Sequence, residues 1–351
     1  MKGDIQNFSV TRRRPAHWRN VPHAAAAQEI ILNVPFDPSE RYSVNVPRLV
    51  LISFLLVLLP QSIEACIWIS GTTKDGQRIS GAGESPIIRL KSVLKSAPAA
   101  YADERHVASL GSTAFERRNN MAVDLILRGQ APQAIVALKE LETEQPGNYI
   151  TAANLGTAYE LAGDNEQALR WITEAIRRNP HSHYGTEWLH VSILLAKIKS
   201  AADPNYFQTQ SVLNLDHTQI ASEDSELNAG GQRRRVSEII KAIKYQLEER
   251  LRFVKSNDPA VASLLYDYGV IEAATGTLET SVELLNMAAG FGYPRARIDP
   301  LVKQYERTIL MASLRRWLSY GAAALAVIAL LAYALRRRWI LVSRTGLASS
   351  K

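Results

Sequence analysis

The 351-residue sequence contains a single cysteine, Cys66. One thiol cannot form an intrachain disulfide or supply the cysteine pair of a structural zinc site, so neither device is open to this fold. Aromatic residues are also scarce, at 7% of the chain, whereas apolar residues reach 46% and are rich in Ala and Leu through its middle. That balance favours helices over sheets. Signatures of common chemistry are missing: there is no nucleophile elbow, no zinc-protease helix and no Walker loop. Gly81-Ala82-Gly83-Glu84-Ser85 lacks the later Gly, the Lys and the helix start that cradle a phosphate, and reads as a flexible linker. The sequence therefore predicts no catalytic residue, no cofactor and no enzyme activity.

Three histidines, His181, His183 and His190, lie close together. His181 and His183 flank a turn, His190 falls on the next helix, and no carboxylate completes a ligand set at metal spacing, so they read as turn and surface residues. No metal is expected.

The formal charge of +7 and a pI near 9.4 fit either nucleic acid or an anionic membrane surface. Position decides between them. Much of the excess sits at the ends, in Arg12, Arg13, Arg14 and Arg19 and in Arg336, Arg337, Arg338 and Arg344, which favours a membrane and excludes nucleic acid as the expected partner.

Two apolar segments set the expected topology. Residues 49–59 are too short to span a bilayer comfortably and have the proportions of a signal-peptide core, with Ala65 before Cys66 at a plausible cleavage position. The long polar leader before them is either a cytosolic extension, making the segment an uncleaved anchor, or the product of a start upstream of the true one, with Val44 or Val46 as candidate starts. Glu64 and Ile63 match a lipoprotein signal poorly, so lipidation of Cys66 is the lesser alternative to an ordinary cleavage site. Residues 317–335 carry no charge, with Trp317, Tyr320, Tyr333 and Trp339 near their ends, the pattern of a spanning helix. The denser basic cluster follows it, which places the tail in the cytoplasm and the intervening domain outside.

Between these segments, Asn154-Leu155-Gly156, Ala158-Tyr159, Gly163-Asp164, Ala168-Leu169, Ala175-Ile176 and Asn179-Pro180 are spaced as two close-packed antiparallel helices. Over residues 149–182 this resembles a tetratricopeptide repeat. Stepping back by the repeat period places Ala122, Leu125, Gly129, Ala134, Leu138, Leu141 and Pro146 at the corresponding positions, and a looser hairpin follows at Tyr268-Gly269, Gly276, Leu285 and Ala288, with Ser281 where Ala is usual. Tyr184, Trp188, Val191, Leu195 and Ile198 predict a further amphipathic helix packed on the array through that stripe. Arg233-Arg234-Arg235 reads as the opening of an amphipathic helix that continues through residues 236–254.

The chain thus reads as an all-α, tetratricopeptide-like helical-hairpin solenoid with a signal-like segment and a C-terminal transmembrane helix. Its divisions are a polar leader (1–48), an export segment and cleavage site (49–65), a turn-rich segment followed by helices (66–118), the array (119–200), a polar insertion (201–232), a helical region with a degenerate hairpin (233–316), the span (317–335) and a basic tail (336–351). The resemblance implies a bacterial, membrane-anchored, extracytoplasmic scaffold for protein or peptide ligands. These would be held on the inward face of the first helix of each hairpin, here Ile150, Ala153, Asn154, Thr157 and Glu160. The alternative is an accessory or regulatory subunit of an envelope enzyme or transport complex, with an unrecognised activity in residues 66–118.

Overall fold

The computed structural model describes residues 68–82, 85–95, 111–254 and 257–346. The polar leader, the apolar segment 49–59 and Cys66 lie outside them. Eleven α-helices make up most of the described residues: α1 (Pro86–Lys95), α2 (Ala114–Leu127), α3 (Ala131–Glu144), α4 (Tyr149–Leu161), α5 (Asn165–Arg178), α6 (Glu187–Ala202), the single turn α7 (Tyr206–Thr209), α8 (Val236–Arg250), α9 (Pro259–Thr275), α10 (Leu278–Gly290) and α11 (Arg295–Gly346).

Two antiparallel hairpins depart from an all-helical chain. β1 (Trp68–Thr72) pairs with β2 (Arg78–Ala82), and β3 (Glu226–Ala229) pairs with β4 (Gln232–Arg235). The second overturns the reading of the three arginines as a helix start. Gly230 and Gly231 both take positive φ, 60° and 78°, which makes the two-residue connection that favours a hairpin, so Arg233 to Arg235 run back as a strand and α8 begins only at Val236. Their charges are met locally: Arg233 pairs with Glu226 at 3.2 Å and Arg235 with Glu238 at 3.3 Å.

Helices α2/α3 and α4/α5 form two hairpins that repeat at 34 residues. Each turn contains a glycine at positive φ, Gly129 at 75° and Gly163 at 87°, which ends the first helix in a conformation that costs other residues steric strain. The positions that match across the repeat are buried alike: Ala134 and Ala168, Leu138 and Ile172, Leu141 and Ala175 are all 1% exposed or less. Gly156 explains why the second hairpin is so close-packed, since a Cβ there would lie 2.4 Å from Ile172 Cδ1.

The same contact recurs in α9/α10. A Cβ on Gly269 would lie 2.9 Å from Leu285 Cγ, and Ser281, standing where the other hairpins have Ala, donates its hydroxyl to Gly269 O at 2.6 Å across the helix pair. A buried hydroxyl satisfied in this way replaces a methyl at little cost.

The described residues hold two main apolar cores that meet at α6. Leu194 belongs to the core of α2 to α5, while Leu189 and Ile193 belong to a larger core built from α1, α8, α9, α10 and the root of α11. The stripe expected to dock α6 holds in part: Trp188 and Val191 are half-buried, each packed against one of the two cores, while Leu195 is 42% exposed, Tyr184 stands before the helix in a turn at 76% exposure, and the fully buried face is Leu189, His190, Ile193, Leu194 and Ala196. Two cores share α6, and the stripe borders both through Trp188 and Val191.

The insertion is ordered by its short apolar run, with Val212, Leu213 and Leu215 buried and Val212 N donating to Ser263 Oγ at 2.8 Å. At the N-terminal side of the described residues, Thr72 donates N–H and hydroxyl to the Glu279 carboxylate at 2.7 and 2.8 Å, which ties β1 to the start of α10. Helix α11 is buried at its root, through Ile298, Tyr305 and Ala312, and then leaves the body. Beyond Arg316 its apolar side chains are exposed, with Leu318 at 73%, Leu325 at 68% and Leu330 at 68%. It is the one helix among the described residues that is long and apolar enough to cross a membrane.

The Gly156 contact gives a direct test. Gly156→Ala gains about 1 kcal/mol in helix propensity but overpacks the pair, at a cost of about 1–3 kcal/mol. A net loss of stability is expected in urea unfolding of the detergent-solubilised chain, and Ile172→Val in the same chain should restore part of it. A stabilised Gly156→Ala variant would contradict the close approach.

Candidate functional site

The densest group of charged side chains in the described residues lies where α4, α6 and α8 meet. Asn148 accepts from Ile150 N at 2.9 Å and so starts α4, which carries Glu160 in its last turn. The second hairpin ends at Pro180, and the chain then turns through His183 and Tyr184, both at positive φ (49° and 60°), into α6. This turn brings Glu187, His190 and Lys197 alongside Glu160. From α8 comes Arg250.

Glu160 is the centre of the group. Arg250 donates to both its oxygens, Nη1 to Oε1 at 2.5 Å and Nη2 to Oε2 at 3.1 Å. Lys197 Nζ reaches Oε1 at 2.7 Å and His190 Nε2 reaches Oε2 at 2.8 Å. The other ring nitrogen of His190 faces Glu187 Oε2 at 3.3 Å, and Glu187 Oε1 meets His183 Nδ1 at 2.5 Å. Asp258, the cap of α9, stands 3.7 Å from Lys197. Three carboxylates therefore face Arg250, Lys197 and a histidine with acceptors on both sides, and the charges nearly balance.

Burial sets the ionisation of these groups. It pushes Glu160 upward, yet the Arg250 charge, the His190 hydrogen bond and the Lys197 charge together hold its carboxyl well below the usual range. Glu187 is likewise lowered against its burial by the hydrogen bonds of His183 and His190. For His190, burial opposes protonation, but hydrogen bonds to Glu160 and Glu187 outweigh it and raise its pKa. His183 is raised chiefly by Glu187. The group is a set of closed ion pairs, which suits neither acid–base exchange nor an incoming metal, since each carboxylate is already committed to a cation. Among the described residues no cluster of His, Cys, Asp and Glu has the arrangement of a metal site.

Above this floor opens a cavity of about 160 Å³. Its walls are Val123 and Ile126 of α2, Ala153, Asn154, Thr157 and Leu161 of α4, and Tyr245, Gln246 and Phe253 at α8. Gln246, 3% exposed, is among the residues that line this space. Asn154 Nδ2 donates to Asn119 Oδ1 at 2.8 Å, and Thr157 donates to Ala153 O at 3.2 Å.

Of the five residues read as the inward face, Ala153, Asn154, Thr157 and Glu160 line this cavity, and Ile150 does not. Glu160 does not project toward solvent as a helix-surface acid does; its side chain is 4% exposed and serves as the ionic hub. His190 departs from its reading as a surface residue in the same way, because Glu187 and Glu160 do stand within its reach. Only Glu187, three residues before His190 and four after His183, could have been found by spacing. Arg250 and Gln246 come from a distant helix and carried no sequence signal. No family model matches the chain, and no curated protein is similar to it.

Linkage gives the pH dependence. His190 is raised above its ordinary 6.5, so its contribution is complete below that value and is lost as the pH climbs through the folded pKa. Glu160 and Glu187 are lowered, so theirs is complete above their ordinary 4.5 and lost only as the pH falls well beneath it. Urea unfolding should therefore show stability declining on the alkaline side, and His190→Gln should flatten that decline. An unchanged alkaline slope in the variant would contradict the charged His190.

Proposed function

We propose that this chain is a membrane-anchored scaffold of tetratricopeptide-type helical hairpins that holds a protein or peptide partner at the cavity between α4 and α8. The observation that carries the reading is the cavity itself: side chains of the first helix of a hairpin, Ala153, Asn154 and Thr157, face open space beside a half-buried Tyr245 and a buried carboxamide, Gln246. The 34-residue register of the two hairpins, with glycine turns and small residues at the helix contacts, supports the repeat type. So does the third hairpin, whose Gly269–Leu285 contact copies that of Gly156 and Ile172.

The anchor rests on α11. A run of exposed leucines and alanines between Arg316 and Arg336 has no burial partner among the described residues, and a bilayer supplies one. The larger basic cluster after the run puts the tail in the cytoplasm and the hairpins on the outer face of the cytoplasmic membrane. On this reading the function is binding alone, with no reaction at the ionic floor.

Two measurements test it. The full chain should stay in the membrane pellet on alkaline extraction, and truncation after Arg316 should release it. Thr157→Phe, which fills the cavity, should reduce recovery of a crosslinked partner at least tenfold with thermal unfolding unchanged. A soluble full chain, or undiminished crosslinking in the filled variant, would contradict the reading.

A further inference from the structure

On the side of α6 turned away from His190 and Lys197 lies a second cleft, of about 420 Å³. It is lined by Trp188 and Val191, which are half-buried against the two cores, and by the exposed Leu195, and is closed by Leu213 of the insertion and by the Gly230-Gly231 turn. That turn is pressed onto the indole: a Cβ on Gly230 would lie 2.7 Å from Trp188 Cε3. The apolar wall is therefore held by fixed backbone.

Charge distinguishes this cleft from the first. No acidic side chain lines it, whereas two cations do, Arg234 and Lys199. The Arg234 guanidinium lies 4.2 Å over the Trp188 ring. Its hydrogen bonds go to neutral acceptors, Ala229 O at 3.3 Å and Gln232 Oε1 at 3.0 Å. Neither Arg234 nor Lys199 makes an ion pair with a described residue, although Arg233 and Arg235 on either side both do. Partial burial accordingly lowers the Arg234 pKa, with only a smaller opposing effect from Glu238.

From this geometry we propose that the cleft binds a carboxylate carried on an apolar body, with the carboxylate on Arg234 and Lys199 and the body against Trp188, Val191 and Leu195. A guanidinium held over an indole, with Nε and Nη2 on neutral acceptors, keeps further N–H groups for a planar anion, the chemistry that suits arginine to carboxylates. A half-buried cation gains most from an anion that arrives with its own apolar cover, because the contact is then shielded from water. The volume exceeds the roughly 150 Å³ that accommodates benzene, so a phenyl group on a short chain fits. The cleft shares only α5 and α6 with the walls of the proposed partner cavity, and it stands or falls independently of that reading.

The test uses the full chain in lipid nanodiscs, following the Trp188 indole N–H by NMR, with the signal assigned through Trp188→Phe. The probes are 4-phenylbutyrate and N-acetylphenylalanine, each beside its primary amide. Saturable shifts are expected for at least one acid, with binding at least tenfold weaker for its amide, for Arg234→Gln and at high salt. Preference for N-acetylphenylalanine would identify the carboxylate as a chain terminus, and preference for 4-phenylbutyrate as that of a free acid; both support the site. Should Arg234→Gln misfold, Lys199→Gln and Arg234→Lys, which keeps the charge but loses the planar fork, must each weaken the acid. Equal binding of acid and amide, or no shift with any probe, would overturn the proposal.

Discussion

A carboxylate with 4% of its side chain exposed costs several kcal/mol to bury unless every oxygen lone pair finds a donor and the charge is matched. Glu160 meets both conditions with groups drawn from two other helices, and this requirement fixes how α4, α6 and α8 are disposed. The apolar cores on either side of α6 bury surface without direction, and greasy contacts tolerate sliding. Bidentate pairing of Arg250 with Glu160, capped by His190 and Lys197, does not. The lock joins three of the helices that wall the cavity above it, α4, α6 and α8.

Helix α6 has a second consequence. Its fully buried contacts with the two cores are made by Leu189, Ile193, Leu194 and Ala196, while Trp188 and Val191 border the cores and leave part of their surface to the second cleft. One side of the helix then presents paired charges beneath the first cavity, and the other presents an indole under an arginine that lacks a counter-charge. The same element thus builds two surfaces of opposite electrostatic character: one closed on itself, the other open to an anion. Root contacts of α11 through Ile298, Tyr305 and Ala312 join its apolar extension to this body within one continuous helix, which carries Pro300 near its start.

Much of the hairpin architecture was legible because it follows from short-range rules. Glycines at 129 and 163 mark turns, small residues at 134, 156, 168 and 175 mark helix contacts, and their separation by a fixed period needs no tertiary information. The exposed apolar run of α11 was legible for a similar reason, since length and absence of charge are local properties. Three features were not. Gly230-Gly231 is a turn signal, but arginines after it fit a strand or a helix start equally well, and only pairing with Glu226 to Ala229 decides. The docking face of α6 depends on which helices surround it: of its hydrophobic stripe Trp188 and Val191 only border the cores, whereas Leu189, Ile193 and Leu194, outside the stripe, fill them. Glu160 looks like any surface acid until Arg250, 90 residues later, is brought to it.

The lock is tested most directly by a double-mutant cycle between Glu160 and Arg250, using Glu160→Leu and Arg250→Met in the full chain and reading unfolding free energies. Removing one partner strands the other as a buried charge, so each single change is expected to cost about 3–5 kcal/mol. The double variant should recover about 1.5 kcal/mol or more relative to their sum. Additivity within about 0.5 kcal/mol, the behaviour of independent sites, would contradict the claim that this ion pair holds the helices together.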